Sequence, residues 1–502
     1  MVEKKKMVLF WTDYIVLFVL NAAGMVMELA ASRLMSPYFG SSNFVWTAII
    51  GIILLAGSLG NIIGGKIASK NDARLTMGIL LLFVSMYLAI TPLVDVPLLS
   101  NIKQVGMGVQ VSAVLSSIIF FLVPATIFGI ITPIIMKERI AASEDQGKES
   151  GRITAIIAIG SLAGTFVGGF WIIPALGVKM ILAMLAFVTL LMVPLFCPIT
   201  EIKQKRSKIF FIILNVITLL LSICAAIAIN VENGSGQISI DTEYGRIIVE
   251  EGEYTGEPVR YYKQSGAYSS ATFVDNDKKY DLVFDYLKKY DEMFKYGDVK
   301  NVLMIGGAAY QYPKYYISHY PDKKMDVVEI DPASTEIAKQ YFYLNDLIND
   351  YGEERIRLYN EDGRVYLSES QEKYDAVLND AFSGAEPVGT LATMEAAREI
   401  KNSLKKDGVY MSNVLGAVSG ERSKFLKAEA KTLQKVFAHV YILPVYEGMA
   451  EDVYSNWMLV ATDSNKYVPK DVIYPEISDS DIILTDDYCP IDALVTTDYF
   501  ER

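Results

Sequence analysis

The residues able to do chemistry cluster between Val302 and Phe382. The apolar run VLMI ends in Gly306 and Gly307. MDVVE ends in Glu329, with Asp331 two residues on; RIRLYNE leads to Asp362 and Gly363; YDAVLN ends at Asp380. A carboxylate closing the second run can accept hydrogen bonds from both hydroxyls of a ribose. Glycines closing the first let a ligand lie close to the backbone. Asp362 is then placed to accept from an adenine amino group, and Asp380 to work on a reacting amine. GGAAY is not GxGxxG, and no Lys or Arg follows it to hold a pyrophosphate, so a nucleoside without phosphates fits better than a dinucleotide. Each acid alone also suits a cap or a solvated loop, positions that Asp favours. Four at successive run ends point to a site.

Composition narrows the chemistry further. His319 and His439 are the only histidines, which argues against a Ser-His-Asp triad and leaves a carboxylate or tyrosine as the acid or base. Cys197, Cys224 and Cys489 lack metal-ligand spacing, so neither a metal site nor a disulfide is expected.

These run ends need a scaffold that brings them to one edge. Short runs of Val, Ile, Leu and Met alternate with helix-like segments such as 333–343. That βαβ pattern predicts a doubly wound, Rossmann-like α/β domain over 301–502, with its ligand beyond the carboxyl ends of parallel strands. Segments 238–240, 245–250 and 259–263 are short and separated by turn residues. They predict a small antiparallel sheet within 231–300, and 268–290 reads as helical.

Residues 1–230 differ in kind. The chain is 52% hydrophobic over 502 residues, and nearly unbroken apolar spans fill this part. Seven transmembrane helices are expected at about 8–35, 44–68, 75–94, 107–136, 153–176, 178–197 and 208–230, each near the ~20 residues needed to cross a bilayer. Basic residues recur at alternate connections: Lys4, Lys5 and Lys6; Lys66, Lys70 and Arg74; Lys137, Arg139, Lys148 and Arg152; Lys203, Lys205, Arg206 and Lys208. The positive-inside rule therefore places the N-terminus in the cytoplasm, and seven crossings place 231–502 outside, on a multi-pass cell-membrane protein.

Charge divides along the same line. Residues 1–230 carry 17 basic and 10 acidic side chains, the remainder 29 and 48. An acidic second half disfavours nucleic acid, which needs a basic footprint. It attracts cations such as a polyamine or a sulfonium compound. Gly60 and Gly64, like Gly160, Gly164 and Gly168, have GxxxG spacing, which serves close packing within a bundle or a homo-oligomer face. Their contexts, GNIIGG and GTFVGG, hint at an inverted repeat. Glu28 is a carboxylate in an apolar helix, read either as a partner of Arg33 or another polar group, or as a functional residue.

Residues 238–416 resemble the spermidine synthase (polyamine aminopropyltransferase) family, through VLMIGG, VEIDP, EDGRVYL, and NDA followed by PVGTLATME. With SRLMSPYFGSS after the first helix and LTDDYCP near the end, the whole chain is similar to the membrane-fused branch of that family. The resemblance implies decarboxylated S-adenosylmethionine as substrate, 5′-methylthioadenosine as product and no permanently bound cofactor. It implies that Glu329 holds the ribose, that Asp362 holds the adenine, and that Asp380 binds and helps deprotonate the attacking amine. Tyr280 falls where the family has a tyrosine near that amine. Three positions depart from the pattern. Ala309 stands where the family has an aspartate for the aminopropyl ammonium, Ser383 where it has a second acid for the acceptor diamine (Glu386 is the nearest substitute), and Gly245 where it has a glutamine.

Three readings follow. The first is an aminopropyltransferase with an unusual acceptor, or with none, the aminopropyl amine closing a four-membered ring on its own carbon. The second is an S-adenosylmethionine-dependent methyltransferase acting beside the membrane. The third is a nucleoside sensor or gated transporter without catalysis.

Overall fold

The computed structural model describes the chain apart from residues 1, 41, 71, 198–204, 233–237, 243, 384–385, 474–476, 479–480 and 496–502. It divides into two compact units, Met1–Arg246 and Ile247–Phe500.

Among the described residues, six helices of the first unit are long and apolar enough to cross a membrane: Trp11–Phe39, Asn43–Ile67, Ala73–Gln104, Val109–Ala141, Gln146–Ile172 and Val178–Phe196. Leu54, Ile62, Phe170 and Trp171 all face outward, a surface that suits hydrocarbon better than water. The seventh span expected at 208–230 falls within the helix Lys205–Glu232, whose described apolar stretch, Phe211–Cys224, is shorter.

Both glycine motifs are used inside this bundle. A Cβ on Gly60 or Gly64 would collide with the Thr126 and Ile130 carbonyls of the fourth helix; one on Gly160 or Gly164 would collide with those of Phe18 and Ala22 in the first. Missing side chains are what let these backbones meet. Ion pairs gather at the helix ends. Buried Asp13 meets Arg74 at 2.9 Å, Arg74 meets Glu138 at 2.6 Å, and Glu149 meets Arg139 at 3.3 Å and Arg152 at 3.2 Å. At the opposite end, Asp241 on the short strand β1 (Ile238–Asp241) accepts from Arg246 at 2.7 Å and from the Val178 N–H at 2.8 Å. Pairing offsets much of the cost of burying these charges. Glu28 sits half-buried in the first helix.

The second unit opens with an antiparallel meander of β2 (Arg246–Tyr254), β3 (Glu257–Gln264) and β4 (Ala267–Phe273). Its turns, Thr255-Gly256 and Ser265-Gly266, have positive φ at both residues, the geometry whose twist matches a two-residue hairpin. The stretch 268–290 is not the helix its sequence suggests. Its first part is β4, which Ser265-Gly266 turns back onto β3; the 3₁₀ helix Asp285–Lys295 starts only later.

The main sheet contains β5 (Asn301–Ile305), β6 (Lys324–Glu329), β7 (Ile356–Asn360), β8 (Tyr374–Asn379), β11 (Leu404–Gly416), β12 (His439–Pro444) and β13 (Ser455–Thr462), in the order β12-β13-β11-β8-β5-β6-β7. A two-strand ribbon, β9 (Phe382–Ser383) with β10 (Glu386–Pro387), stands apart from it. Strands β11, β8, β5, β6 and β7 pair in parallel. Strand β13 lies antiparallel between β11 and β12, so the sheet is mostly and not wholly parallel. The connection 445–454 is too short for a crossover helix, and β12 and β13 pair directly instead.

Alternate residues of β5 feed different cores: Leu303 and Ile305 one, Val302 and Met304 the other. Burial on both faces is why these strands read as continuous apolar runs. From β5 the chain winds one way through β6 and β7, then returns to β8 and β11 on the other side. The switch between β5 and β8 is where ligands of such sheets bind.

Candidate active site

The carboxyl ends of the strands open on one cavity. Read across the sheet, its walls are Asp362 after β7, Glu329 at the end of β6, Gly306 and Gly307 after β5, Asp380 after β8, Asn413 and Leu415 on β11, and Asn456 on β13. The meander adds Tyr268 and Ser269, and the 3₁₀ helix adds Tyr286.

The glycine turn is tied to its neighbours. Gly306 has φ +92°, and a Cβ there would lie 2.6 Å from the Asp380 carbonyl oxygen. The position therefore demands glycine for both conformation and space. Gly307 and Ala308 each donate an N–H to Glu329 Oε2 at 2.8 Å, and Asp331 donates its N–H to Oε1 at 3.0 Å. Glu329 thus anchors the turn as well as walling the cavity. Burial pushes its carboxyl pKa up, and the three N–H donors oppose that.

Asp362 caps the helix Gly363–Glu369, accepting from Arg364 N at 2.7 Å and Val365 N at 3.2 Å, and also lines the cavity. Gly363 packs against β5: a Cβ there would meet Ile305 Cγ2 at 2.5 Å. Asp331 caps the helix Pro332–Tyr341 through Ala333 N at 2.9 Å. It is buried, and it is not among the described cavity-lining residues.

Asp380 closes β8 at the switch point. Asn413 Nδ2 donates to its Oδ1 at 2.7 Å, and the Tyr286 hydroxyl donates to its Oδ2 at 3.3 Å. Its carboxylate is open to the cavity but otherwise surrounded by protein. Burial pushes its pKa up to about 6, against the pull of those two donors. A carboxylate tuned this way can exchange a proton with an amine near neutral pH.

The tyrosine beside Asp380 is Tyr286 and not Tyr280. Tyr280 donates its hydroxyl to Asp350 Oδ2 at 2.7 Å and is not among the described lining residues. The turns after Tyr280 carry the chain to the 3₁₀ helix, and it is this helix that leans over β8. Asn413 went unrecognised because it lies inside the long apolar strand β11. The signal available was the polar pair Ser412-Asn413 interrupting the apolar residues of β11.

The stretch LTDDYCP fixes one wall of the cavity. Asp486 Oδ1 accepts from the Thr393 hydroxyl at 2.7 Å, its Oδ2 accepts from Arg364 Nη2 at 3.1 Å, and Met394 N donates to the Leu484 carbonyl at 2.9 Å. These bonds hold the segment from which Val388 and Leu391 face the cavity.

Residues 282–468 match the family model of the spermine/spermidine synthase domain. The matched stretch lies within the second unit, which is thus similar to a spermine/spermidine synthase domain. Curated relatives of this domain include the "Polyamine aminopropyltransferase" of Vibrio vulnificus (strain CMCP6), 33% identical over 145 residues, which are 28% of this chain and 45% of the relative. The "Polyamine aminopropyltransferase 2" of Aquifex aeolicus (strain VF5) is 22% identical over 450 residues, 86% of this chain and 84% of its own. That likeness runs through the apolar helices as well as residues 282–468. The chain spans 45% to 67% of the length of the first four curated relatives it matches. Among solved structures, a probable spermidine synthase from Corynebacterium glutamicum is similar at 20% identity over 45% of this chain and 80% of that chain, with a TM-score of 0.39.

Proposed function

We propose that this chain is a membrane-anchored transferase of the aminopropyltransferase type, taking decarboxylated S-adenosylmethionine and releasing 5′-methylthioadenosine. One observation carries the reading. The cavity wall presents the carboxylates Glu329, Asp362 and Asp380 and, among the described lining residues, no Lys, Arg or His. A nucleoside bearing a sulfonium and an ammonium matches that wall. S-adenosylmethionine itself would set an additional carboxylate there with no cationic side chain to meet it, which counts against the methyltransferase reading.

In this proposal Glu329 receives the ribose hydroxyls, Asp362 the adenine amino group, and the turn Gly306-Gly307 lets the nucleoside approach the backbone. Asp380 takes a proton from the ammonium of the attacking amine. The freed lone pair attacks the methylene next to sulfur, the C–S bond breaks, and its electron pair stays on sulfur as the neutral thioether of methylthioadenosine. The attacking nitrogen belongs either to a separate amine or, in a cyclisation, to the aminopropyl group. The test is incubation of purified protein with decarboxylated S-adenosylmethionine and separation of the products. Methylthioadenosine is expected, and adenosylhomocysteine formed from S-adenosylmethionine would refute the reading.

We further propose that Lys205–Glu232 crosses the membrane as a seventh span. The sixth helix ends near Arg74, which lies over the Phe196 ring at 5.9 Å. By Asp241 the chain is back beside Val178, at that helix's opposite end. In this proposal the N-terminus lies in the cytoplasm and the soluble domain outside, by the positive-inside rule. Protease accessibility in sealed cells tests this placement.

A further inference from the structure

We infer that the acceptor is a primary monoamine with a neutral polar tail, and not a diamine. This rests on the aminopropyltransferase reading above and names the substrate class of the same site.

The wall changes character at Asp380. On the β7, β6 and β8 side it presents Asp362, Glu329 and Asp380. Beyond β8, on β11 and β13, it presents Asn413, Leu415 and Asn456, the last two directly paired across the strands. Cyclisation within the nucleoside would need no room there, so the extension beyond Asp380 is space for a separate acceptor.

Asn413 identifies what that acceptor offers first. Its Nδ2 is committed to Asp380 Oδ1 at 2.7 Å, which fixes the amide orientation, since a carboxylate cannot donate to an amide oxygen unless protonated. Its Oδ1 is left buried with no hydrogen-bond partner, on a residue only 5% exposed. A buried acceptor without a donor is costly unless a ligand supplies one. An amine held by Asp380 has further N–H bonds to give, and Asn413 Oδ1 stands beside Asp380 to take one.

The tail then meets neutral groups. Among the described lining residues, no carboxylate lies on the β11 and β13 side, and Asn456 offers an amide. A hydroxyl or amide tail is satisfied there. The second ammonium of a diamine would lose its hydration without gaining a charge partner.

The experiment uses the full-length protein in detergent, decarboxylated S-adenosylmethionine, and either 4-aminobutan-1-ol or 1,4-diaminobutane, which differ only in the terminal group. The readouts are methylthioadenosine release and the mass of the aminopropylated product. The amino alcohol is expected to exceed the diamine in kcat/KM by about tenfold or more. Asn456→Asp, which adds a carboxylate to the far wall, is expected to narrow or reverse that ratio. A diamine used as well as or better than the amino alcohol overturns the inference. So does methylthioadenosine forming equally fast with no amine, or not at all with either. Calorimetric binding of decarboxylated S-adenosylmethionine separates the failures: if it binds, only the acceptor class falls; if it does not, the underlying reading falls too.

Discussion

Asn413 and Asp380 come from neighbouring strands, and a 2.7 Å hydrogen bond from Nδ2 to Oδ1 joins them at the switch point of the sheet. The bond holds the carboxylate in one orientation and moderates the rise in its pKa that burial causes. Activity is therefore expected to fall as Asp380 is protonated, with an acid limb centred near the carboxyl pKa of about 6. Asn413→Leu removes the donor and is expected to move that limb to higher pH. A pH profile of kcat/KM for both proteins checks the direction.

Asp380→Asn keeps the shape and the contact to Asn413 but removes the proton acceptor. Loss of turnover by about a hundredfold or more is expected, the usual range for a general base. Nucleoside binding by calorimetry is expected to persist, because Glu329 and Asp362 are untouched.

Tyr286 and Tyr280 separate the contact seen at Asp380 from the one the family resemblance implies. Tyr286→Phe removes a donor to Asp380 and is expected to lower kcat/KM by roughly three- to tenfold, the worth of one hydrogen bond to a charged group. Tyr280→Phe loses only its bond to Asp350 and is expected to stay within about twofold of the parent. Steady-state rates on the pair decide the matter.

Glu329→Ala strips the acceptor from the N–H groups of Gly307, Ala308 and Asp331. Nucleoside affinity and thermal stability are expected to fall together, the latter by about 1–3 kcal/mol for buried donors left unpaired. Calorimetry and a melting curve on one preparation show whether both losses appear.

Glu429 offers a test away from the cavity. It is buried behind β11, accepts from the Ser412 hydroxyl at 3.0 Å, and has its pKa pushed up to about 7 by burial. A carboxyl with a raised folded pKa supports the fold below its unfolded value, and that support is lost as pH rises through about 7. Glu429→Gln is expected to melt higher than the parent near pH 8 and to lose most of that advantage near pH 5. Melting temperatures at both pH values check the sign.

How much of this was legible in the chain follows from what each residue does locally. Gly306, Glu329, Asp362 and Asp380 end buried strands, so the change from apolar run to polar residue marked them. Asp331 looked the same and caps a helix as Asp362 does, but it is not among the described cavity-lining residues; a cap and a ligand contact share one residue preference. Strand β4 was missed because its meaning lies in the Ser265-Gly266 turn and in pairing with β3, not in its own periodicity. Tyr286 and Asn413 were missed because their role is a contact between segments 94 and 33 residues apart from Asp380, which local pattern does not carry. The antiparallel β13 depended on the length of the preceding connection. The apolar helices were plain from length and composition, while the reach of the last one was not.

The most direct measurement is product formation by the purified full-length protein given decarboxylated S-adenosylmethionine and a primary amine. The account predicts 5′-methylthioadenosine together with the aminopropylated amine, and neither from Asp380→Asn. Adenosylhomocysteine formed from S-adenosylmethionine would contradict it.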